Sequence, residues 1–308
     1  MDISRSLYSM VQICCRPFAI NGSVRHVLKL SAAEQRDHVE GLLRFNEALR
    51  ESGVLQGRVY KHRRSLGISN RYNQLPCTQD SRLKRAALLE AEGLKDGGVL
   101  LLGDDDLLSV ELCRRGFRRV IVADCDEALL EQIRAETRGL TCKPEIVCAD
   151  FSLGFTTAEP VDAVVLDPPY NAPAIKIFMD VALRNVARSP RCRVYAMYNP
   201  DALPAKAQDE VISHMEEGGF ELKRHIAHFN AYRLAPLDVR LLRLAGAFFL
   251  GRARLAALGA EVYYASDCYE FISDADYQAL APEAVPTSVD ARPAPRSVGH
   301  QQPQWSTL

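Results

Sequence analysis

Val99-Leu100-Leu101-Leu102-Gly103-Asp104-Asp105-Asp106-Leu107 is a short apolar run that stops at an acidic, turn-forming cluster. Val164-Val165-Leu166-Asp167-Pro168-Pro169-Tyr170 repeats the pattern further along. Between them, Arg119-Val120-Ile121-Val122-Ala123-Asp124 and Glu145-Ile146-Val147-Cys148-Ala149-Asp150 also end on a carboxylate. A parallel strand buried on both faces, stopping at the ligand crevice of an open α/β sheet, has this form. The spacing predicts strands over 99–103, 119–124, 145–149 and 161–166, with helices over 107–115 and 126–138. Gly116 and Gly139 stand where helix-terminating glycines belong. Connections this short imply a right-handed, doubly wound α/β sheet.

Outward from that centre the expectations are simpler. C-terminal to it, a helix over 174–187, a strand over 193–198 and a helix over 204–218 continue the alternation. Strands over 222–229, 261–264 and 269–272 are expected to pair antiparallel at the far edge. N-terminal to it, 1–70 reads as a small, mainly helical domain. Within that domain a helix over 32–52 starts at Ser31, with Glu34 as its capping-box partner, and stops at Gly53. A helix over 78–92 precedes the first strand, and the polar segment 71–80 is placed to fold over the crevice as a lid. Residues 71–281 are expected to form the main domain, which carries the acidic strand ends. Five of the sixteen prolines fall in 282–308, which reads as a disordered tail.

Bulk properties remove several function classes. The formal net charge of -1 gives no global field for nucleic acid or an anionic membrane. The most apolar long stretch, 241–258, is interrupted by Arg243, Arg252 and Arg254, so no membrane span is expected. No secretory leader is visible. Nine cysteines without a C-x-x-C pair suit reduced thiols in a cytoplasmic protein and supply no structural metal site. No metal is expected.

The chemistry is read from the strand ends. Gly103-Asp104-Asp105-Asp106 lacks the glycines of a dinucleotide loop, and three adjacent carboxylates repel a pyrophosphate. A sulfonium, an ammonium or a hydroxyl-rich ribose suits them. Asp124, after the second strand, is placed to bind ribose hydroxyls. Asp150-Phe151, after the third, pairs a carboxylate for an adenine amino group with a ring for its face. S-adenosylmethionine, or its decarboxylated form, fits this set better than NAD or ATP. Asp167-Pro168-Pro169-Tyr170 is an extended turn that presents Asp167, the Pro168 carbonyl and the Tyr170 ring to an acceptor.

These residues resemble the bis(aminopropyl)spermidine synthase (branched-chain polyamine synthase) family over roughly Tyr72 to Ile272. The anchors are Tyr72-Asn73-Gln74 with Pro76 and Thr78, Leu101 to Leu107, Asp124-Cys125-Asp126, Asp167-Pro168-Pro169, and Phe229-Asn230 with Tyr232. The resemblance implies a class I methyltransferase-like (Rossmann-like) fold that transfers the three-carbon arm of the sulfonium rather than its methyl. It places Asp104 or Asp105 near the ligand's amino group and Asp167 near the acceptor. Tyr72, Gln74, Thr78, Gly103, Asp104, Asp105, Asp124, Cys125, Asp150, Phe151 and Asp167 are then the donor-binding candidates. Pro168, Tyr170, Asn171, Asn230 and Tyr232 are the acceptor-binding ones.

Two departures bear on the acceptor. Family members carry Glu after the Asp-Pro-Pro turn, where this chain has Tyr170-Asn171, and the family's acidic end is replaced by a tail with Arg292 and Arg296. Losing a carboxylate and gaining a ring favours a less cationic or aromatic small-molecule acceptor. The reading placed first is transfer of a 3-amino-3-carboxypropyl group from S-adenosylmethionine to a phenol or amine, releasing methylthioadenosine. That is the activity of an isonocardicin synthase in antibiotic biosynthesis. The alternative is aminopropyl transfer from the decarboxylated donor to a polyamine; a methyltransferase is the third reading. A non-catalytic adenosyl-ligand sensor is disfavoured because no basic recognition helix is visible.

Catalysis by alignment needs a nucleophile, carbon and sulfur in line, with Asp104 at the donor and His228, Asp167 or Tyr170 as the base. In a regular strand His228 and Asn230 face the same side. Arg71, Arg82 or a backbone amide would bind a donor carboxylate, and tighter binding of the carboxylated donor is expected. A homodimer is compatible with the chain, and neither a membrane nor a nucleic-acid partner is expected.

Overall fold

The acidic strand ends converge because the strand order reverses at the strand that leads into Gly103. The computed structural model describes residues 31–51, 75–203, 205–247, 255–256 and 261–273. Its helices are α1 (Ala32–Glu51), α2 (Gln79–Ala91), α3 (Leu108–Arg114), α4 (Glu127–Thr137), α5 (Ala172–Asn185), α6 (Ala205–Glu217) and α7 (Pro236–Ala247). Its strands are β1 (Gly98–Leu102), β2 (Arg119–Asp124), β3 (Glu145–Cys148), β4 (Ala163–Leu166), β5 (Arg193–Tyr198), β6 (Phe220–Arg233) and β7 (Tyr263–Ser273). They form one sheet in the order β3-β2-β1-β4-β5-β7-β6. The chain winds outward from β1 to β3, then returns to β4 on the other side of β1.

That reversal sets the registers. Leu102 pairs with Ala123 of β2 and with Leu166 of β4, all in parallel strands. Gly103 therefore emerges between Asp124 and Asp167, and its N–H donates to the Ala123 carbonyl at 2.9 Å. Gly103 turns there with φ 76°, a left-handed conformation that glycine adopts without a Cβ penalty. Ligands bind beyond the carboxyl ends of strands at such a switch point.

Both faces of the sheet are covered, which is why β1, β2 and β4 read as unbroken apolar runs. Leu100, Leu102, Ile121 and Val164 pack on Ile175 and Met179 of α5 and on Val211 and Met215 of α6. Val99, Leu101, Val122 and Val165 pack on Leu89 of α2, Leu112 of α3 and Leu130 of α4. Each of these side chains contributes about 1.5–3 kcal/mol of burial.

The far edge is antiparallel as expected, but its strands are divided differently. The stretches expected as two strands, 261–264 and 269–272, form the single strand β7, which lies between β5 and β6 and not at the margin. Ser266 and Asp267 look like a break in the sequence, yet both are buried in the ladder. Asn230 Nδ2 donates to Ser266 Oγ at 2.9 Å, and the His228 N–H donates to Asp267 Oδ1 at 2.8 Å, so a polar run survives inside a sheet. β6 is also longer than expected and carries register shifts between Leu222 and Arg224 and between Ile226 and Asn230.

Ser31 and Glu34 form the expected capping box: the Ser31 N–H donates to Glu34 Oε2 at 2.8 Å and the Glu34 N–H to Ser31 Oγ at 3.4 Å. α1 packs on the β7 side of the sheet, where the Asn46 side chain exchanges two 2.8 Å hydrogen bonds with the Tyr263 backbone. Gly53 lies outside the described residues, as does the tail 282–308. No described helix is long and apolar enough to cross a membrane.

Candidate active site

The site is built around a residue that the sequence reading did not single out. Arg85 lies on α2 with its side chain directed into the sheet's switch point, and only 3% of it is exposed. Its Nη1 donates to Asp106 Oδ2 at 2.8 Å and its Nη2 to Asp167 Oδ2 at 2.6 Å. Its Nε donates to Asn230 Oδ1 and its Nη2 to the Tyr232 hydroxyl, each at 2.8 Å. One guanidinium thus joins the loop after β1, the turn after β4 and strand β6. Charge-assisted, forked bonds of this kind fix direction as well as distance.

α2 reaches the crevice because its buried face is polar at one end. Thr78 caps the helix by accepting the Ser81 N–H, and the Ser81 hydroxyl accepts the Ala231 N–H of β6 at 2.8 Å. The Thr78 N–H donates to the Ala231 carbonyl, and Cys77 bridges to Tyr232, so 77–81 is laced to β6. Cys77 Sγ donates to Asp106 Oδ2 at 3.0 Å. Thr78, Arg82, Arg85 and Leu89 recur at helical spacing, and that stripe was the available signal. An arginine on a buried stripe requires a buried acid.

Asp167 gathers the residues expected at the acceptor. Its Oδ2 also accepts the Tyr232 hydroxyl at 2.6 Å, while Tyr170 donates to Oδ1 at 3.3 Å. The Tyr170 ring leans on Tyr264, with centroids 5.9 Å apart. Pro168 is buried, and Asn171 caps α5 by accepting the Ala174 N–H at 2.9 Å. Asp167, Tyr170, Asn230 and Tyr232 are therefore brought together.

The donor-side candidates line the ends of β1, β2 and β3. Asp104 is buried and held by the N–H and hydroxyl of Ser109 on α3. Asp105 is half-buried between Asp104 and Asp106. Asp124 is buried and accepts the Asp126 N–H at 2.8 Å, with Cys125 half-buried beside it. Asp150 caps the short turn Phe151–Leu153 through Ser152, and Phe151 meets Phe178 edge-on at 4.9 Å. Tyr72 and Gln74 lie outside the described residues, as does Arg71.

His228 stands apart. The irregularity between Ile226 and Asn230 breaks the two-residue alternation, so Asn230 is buried while His228 is exposed with φ 52°. Its ring packs on Phe45 of α1 at 5.3 Å. The expectation that the two share a face is overturned by this bulge.

The electrostatics are those of a crevice short of cations. Burial pushes the carboxyl groups of Asp104 and Asp105 well above their usual range, with the charge of Asp106 adding to both. Burial pushes Asp124 up to about 6. Asp167 is also raised by burial, although Arg85 and Tyr232 pull it back. At Asp106 burial is outweighed by Arg85, Cys77 and Arg82, which hold it below the usual carboxylate range. A cation arriving beside Asp104, Asp105 and Asp124 would relieve all three.

Comparison with known proteins agrees with this geometry. The chain is 31% identical over 113 residues to the N(4)-bis(aminopropyl)spermidine synthase of Methanocaldococcus jannaschii, covering 35% of this chain and 32% of that protein. It is 30% identical over 132 residues to the enzyme of the same name from Thermococcus kodakarensis, covering 41% and 37%. The chain thus spans about a third of the length of these curated relatives. The fold matches the branched-chain polyamine synthase of Thermus thermophilus, solved with N4-aminopropylspermidine and 5'-methylthioadenosine. That match has a TM-score of 0.52 and 19% identity, covering 75% of this chain and 64% of that one. Residues 57–236, more than half of the chain and the part holding both Arg85 and the acidic strand ends, match the branched-chain polyamine synthase A C-terminal domain, and the chain belongs to that family.

Proposed function

We propose that the chain transfers the aminopropyl arm of decarboxylated S-adenosylmethionine to an amine of a small-molecule acceptor, releasing methylthioadenosine. The observation that carries this reading is the gathering of buried Asp104 and Asp124 with half-buried Asp105 at the ends of β1 and β2, where burial raises the proton affinity of all three. A sulfonium with an ammonium arm supplies the positive charge they lack. In this reading Asp124 receives the ribose, Asp104 and Asp105 the charged arm, and Asp167 with Tyr170 and Tyr232 the acceptor. The acceptor nitrogen attacks the arm carbon bonded to sulfur. The C–N bond forms, the C–S pair returns to sulfur as a thioether, and the nitrogen releases one proton.

The engagement of Arg85 supports a donor without a carboxylate. A carboxylated donor needs a cationic partner or loses affinity. The guanidinium at the centre of the site already bonds Asp106 and Asp167, and Arg82 Nη1 donates to the Asp106 carbonyl at 3.2 Å. On this reading the decarboxylated donor binds more tightly, the opposite of the order expected from the sequence. The family relationship points the same way, towards the aminopropyl reading.

One observation favours the second reading, 3-amino-3-carboxypropyl transfer to a phenol or amine. Tyr170 stands where the resemblance implies Glu, and on the second reading it offers the acceptor a ring in place of a charge. Both readings are tested by incubating the chain with each donor against spermidine, a simple diamine and a phenol. Methylthioadenosine from the decarboxylated donor, with an aminopropyl group added to the amine, is the expected result. Release of S-adenosylhomocysteine overturns arm transfer altogether.

A further inference from the structure

Asp167 carries two tasks that conflict. A carboxylate beside an acceptor amine serves as its proton acceptor, yet the same negative charge holds that amine as an ammonium, which has no lone pair to attack with. A nearby fixed cation resolves the conflict, because it lowers the proton affinity of both groups. Arg85 is such a cation. It sits 2.6 Å from Asp167 Oδ2, is buried, and is itself locked by Asn230 and Tyr232 from β6. Oδ2 is thereby occupied by Arg85 and Tyr232, whereas Oδ1 accepts the longer contact from Tyr170.

We propose that Arg85 is the positioning residue of the transfer step: bridging Asp106 and Asp167, it keeps Asp167 ionised, turns Oδ1 to the acceptor nitrogen and holds that nitrogen neutral. The inference rests on the transfer reading above and adds the residue that sets its pH range. As the C–N bond forms and the C–S pair leaves with sulfur, the nitrogen's proton passes to Asp167 Oδ1, and the resulting acid later returns it to water. The groups that face Asp167 are Arg85 from α2, Asp105 and Asp106 from the loop after β1, Tyr232 from β6, and Tyr170 from its own turn. Cys77 and Arg82 act through Asp106. Arg85 is the cation bonded to Asp167 itself.

The test compares Arg85→Gln and Arg85→Lys with the wild type in the full chain. Removing the charge raises the proton affinity of both Asp167 and the acceptor, so the acidic limb of kcat moves to higher pH. A shift of about one pH unit, read as a roughly tenfold lower kcat below the limb, is expected for Arg85→Gln. The KM for the donor stays within about twofold. Arg85→Lys retains the charge without the fork, so its limb stays near the wild-type position while kcat falls.

A second measurement needs neither donor nor acceptor. The Asp167 carboxyl carbon, identified with Asp167→Asn, is titrated by NMR in ligand-free wild type and Arg85→Gln, with thermal melts reporting the fold. Its midpoint rises in Arg85→Gln if the inference holds. An unmoved midpoint, or an unmoved kcat limb in a folded Arg85→Gln, overturns it. Absence of arm transfer by the wild type would instead sink the proposed function, and the ligand-free titration distinguishes the two failures.

Discussion

The Tyr232 hydroxyl on β6 and the Asp167 carboxylate after β4 lie 2.6 Å apart, joining strands that are three positions apart in the sheet. The same hydroxyl accepts from Arg85, so it relays between the guanidinium and the acid. Tyr232→Phe keeps the ring, which packs near Tyr264, and removes the hydroxyl with its bonds to Asp167, Arg85 and Ser266. A hydrogen bond to a buried charge is worth about 1.5–3 kcal/mol, so urea unfolding should report a loss of that order. Losing the donor also raises the proton affinity of Asp167. Arm transfer at neutral pH is expected to fall more than the donor's affinity does, which calorimetry beside steady-state rates will show.

Asp124 gives the ligand-free protein a defined pH response. Burial raises its carboxyl to about 6, against about 3.9 in the unfolded chain. The folded state therefore holds this proton more tightly than the unfolded chain. The stability from that difference is full below about pH 4, declines as pH rises to about 6, and is gone above; the span is about 3 kcal/mol. Asp104, Asp105 and Asp167 shift in the same direction. Asp124→Asn should flatten the decline, measured as unfolding free energy at about pH 5 and about pH 7. Donor binding runs opposite in sign. The ionised carboxylate is the better partner for ribose hydroxyls and a sulfonium, so affinity rises with pH through about 6, and calorimetry in buffers of different ionisation enthalpy detects the released proton.

The strand ends were legible because a strand buried on both faces leaves an apolar run, and a carboxylate stopping such a run stands out. Registers of β1, β2 and β4 then follow from the topology. Arg85 was not legible on those terms, since its importance lies in contacts with Asp106, Asp167, Asn230 and Tyr232, which the fold alone brings together. The continuity of β7 was hidden for a related reason. Ser266 and Asp267 resemble a turn until Asn230 and the His228 N–H satisfy them from the neighbouring strand.

Asn171 separates a folding role from a binding one. Its Oδ1 accepts the Ala174 N–H and starts α5, whose Ile175 and Met179 lie in the core beneath the sheet. Asn171→Ala should cost about 1 kcal/mol through the lost cap, while Asn171→Asp retains it and adds favourable charge at the helix start. A raised acceptor KM in Asn171→Ala, with Asn171→Asp restoring stability but not KM, would show that the side chain also contacts the acceptor.

His228 tests how far the bulge removes it from the chemistry. Its backbone sits at φ 52°, a conformation that costs a residue with a Cβ and suits glycine. Its N–H, which any residue but proline supplies, donates to Asp267 Oδ1. His228→Gly keeps that bond, relieves the left-handed strain and gives up the contact with Phe45. The first effect stabilises by up to about 1 kcal/mol and the second opposes it, so the melting temperature should hardly move. A catalytic base, by contrast, contributes about 10²–10⁴-fold to rate. Turnover by His228→Gly within about twofold of wild type is expected from its exposed position, and a hundredfold loss with an unchanged melt would return His228 to the reaction centre.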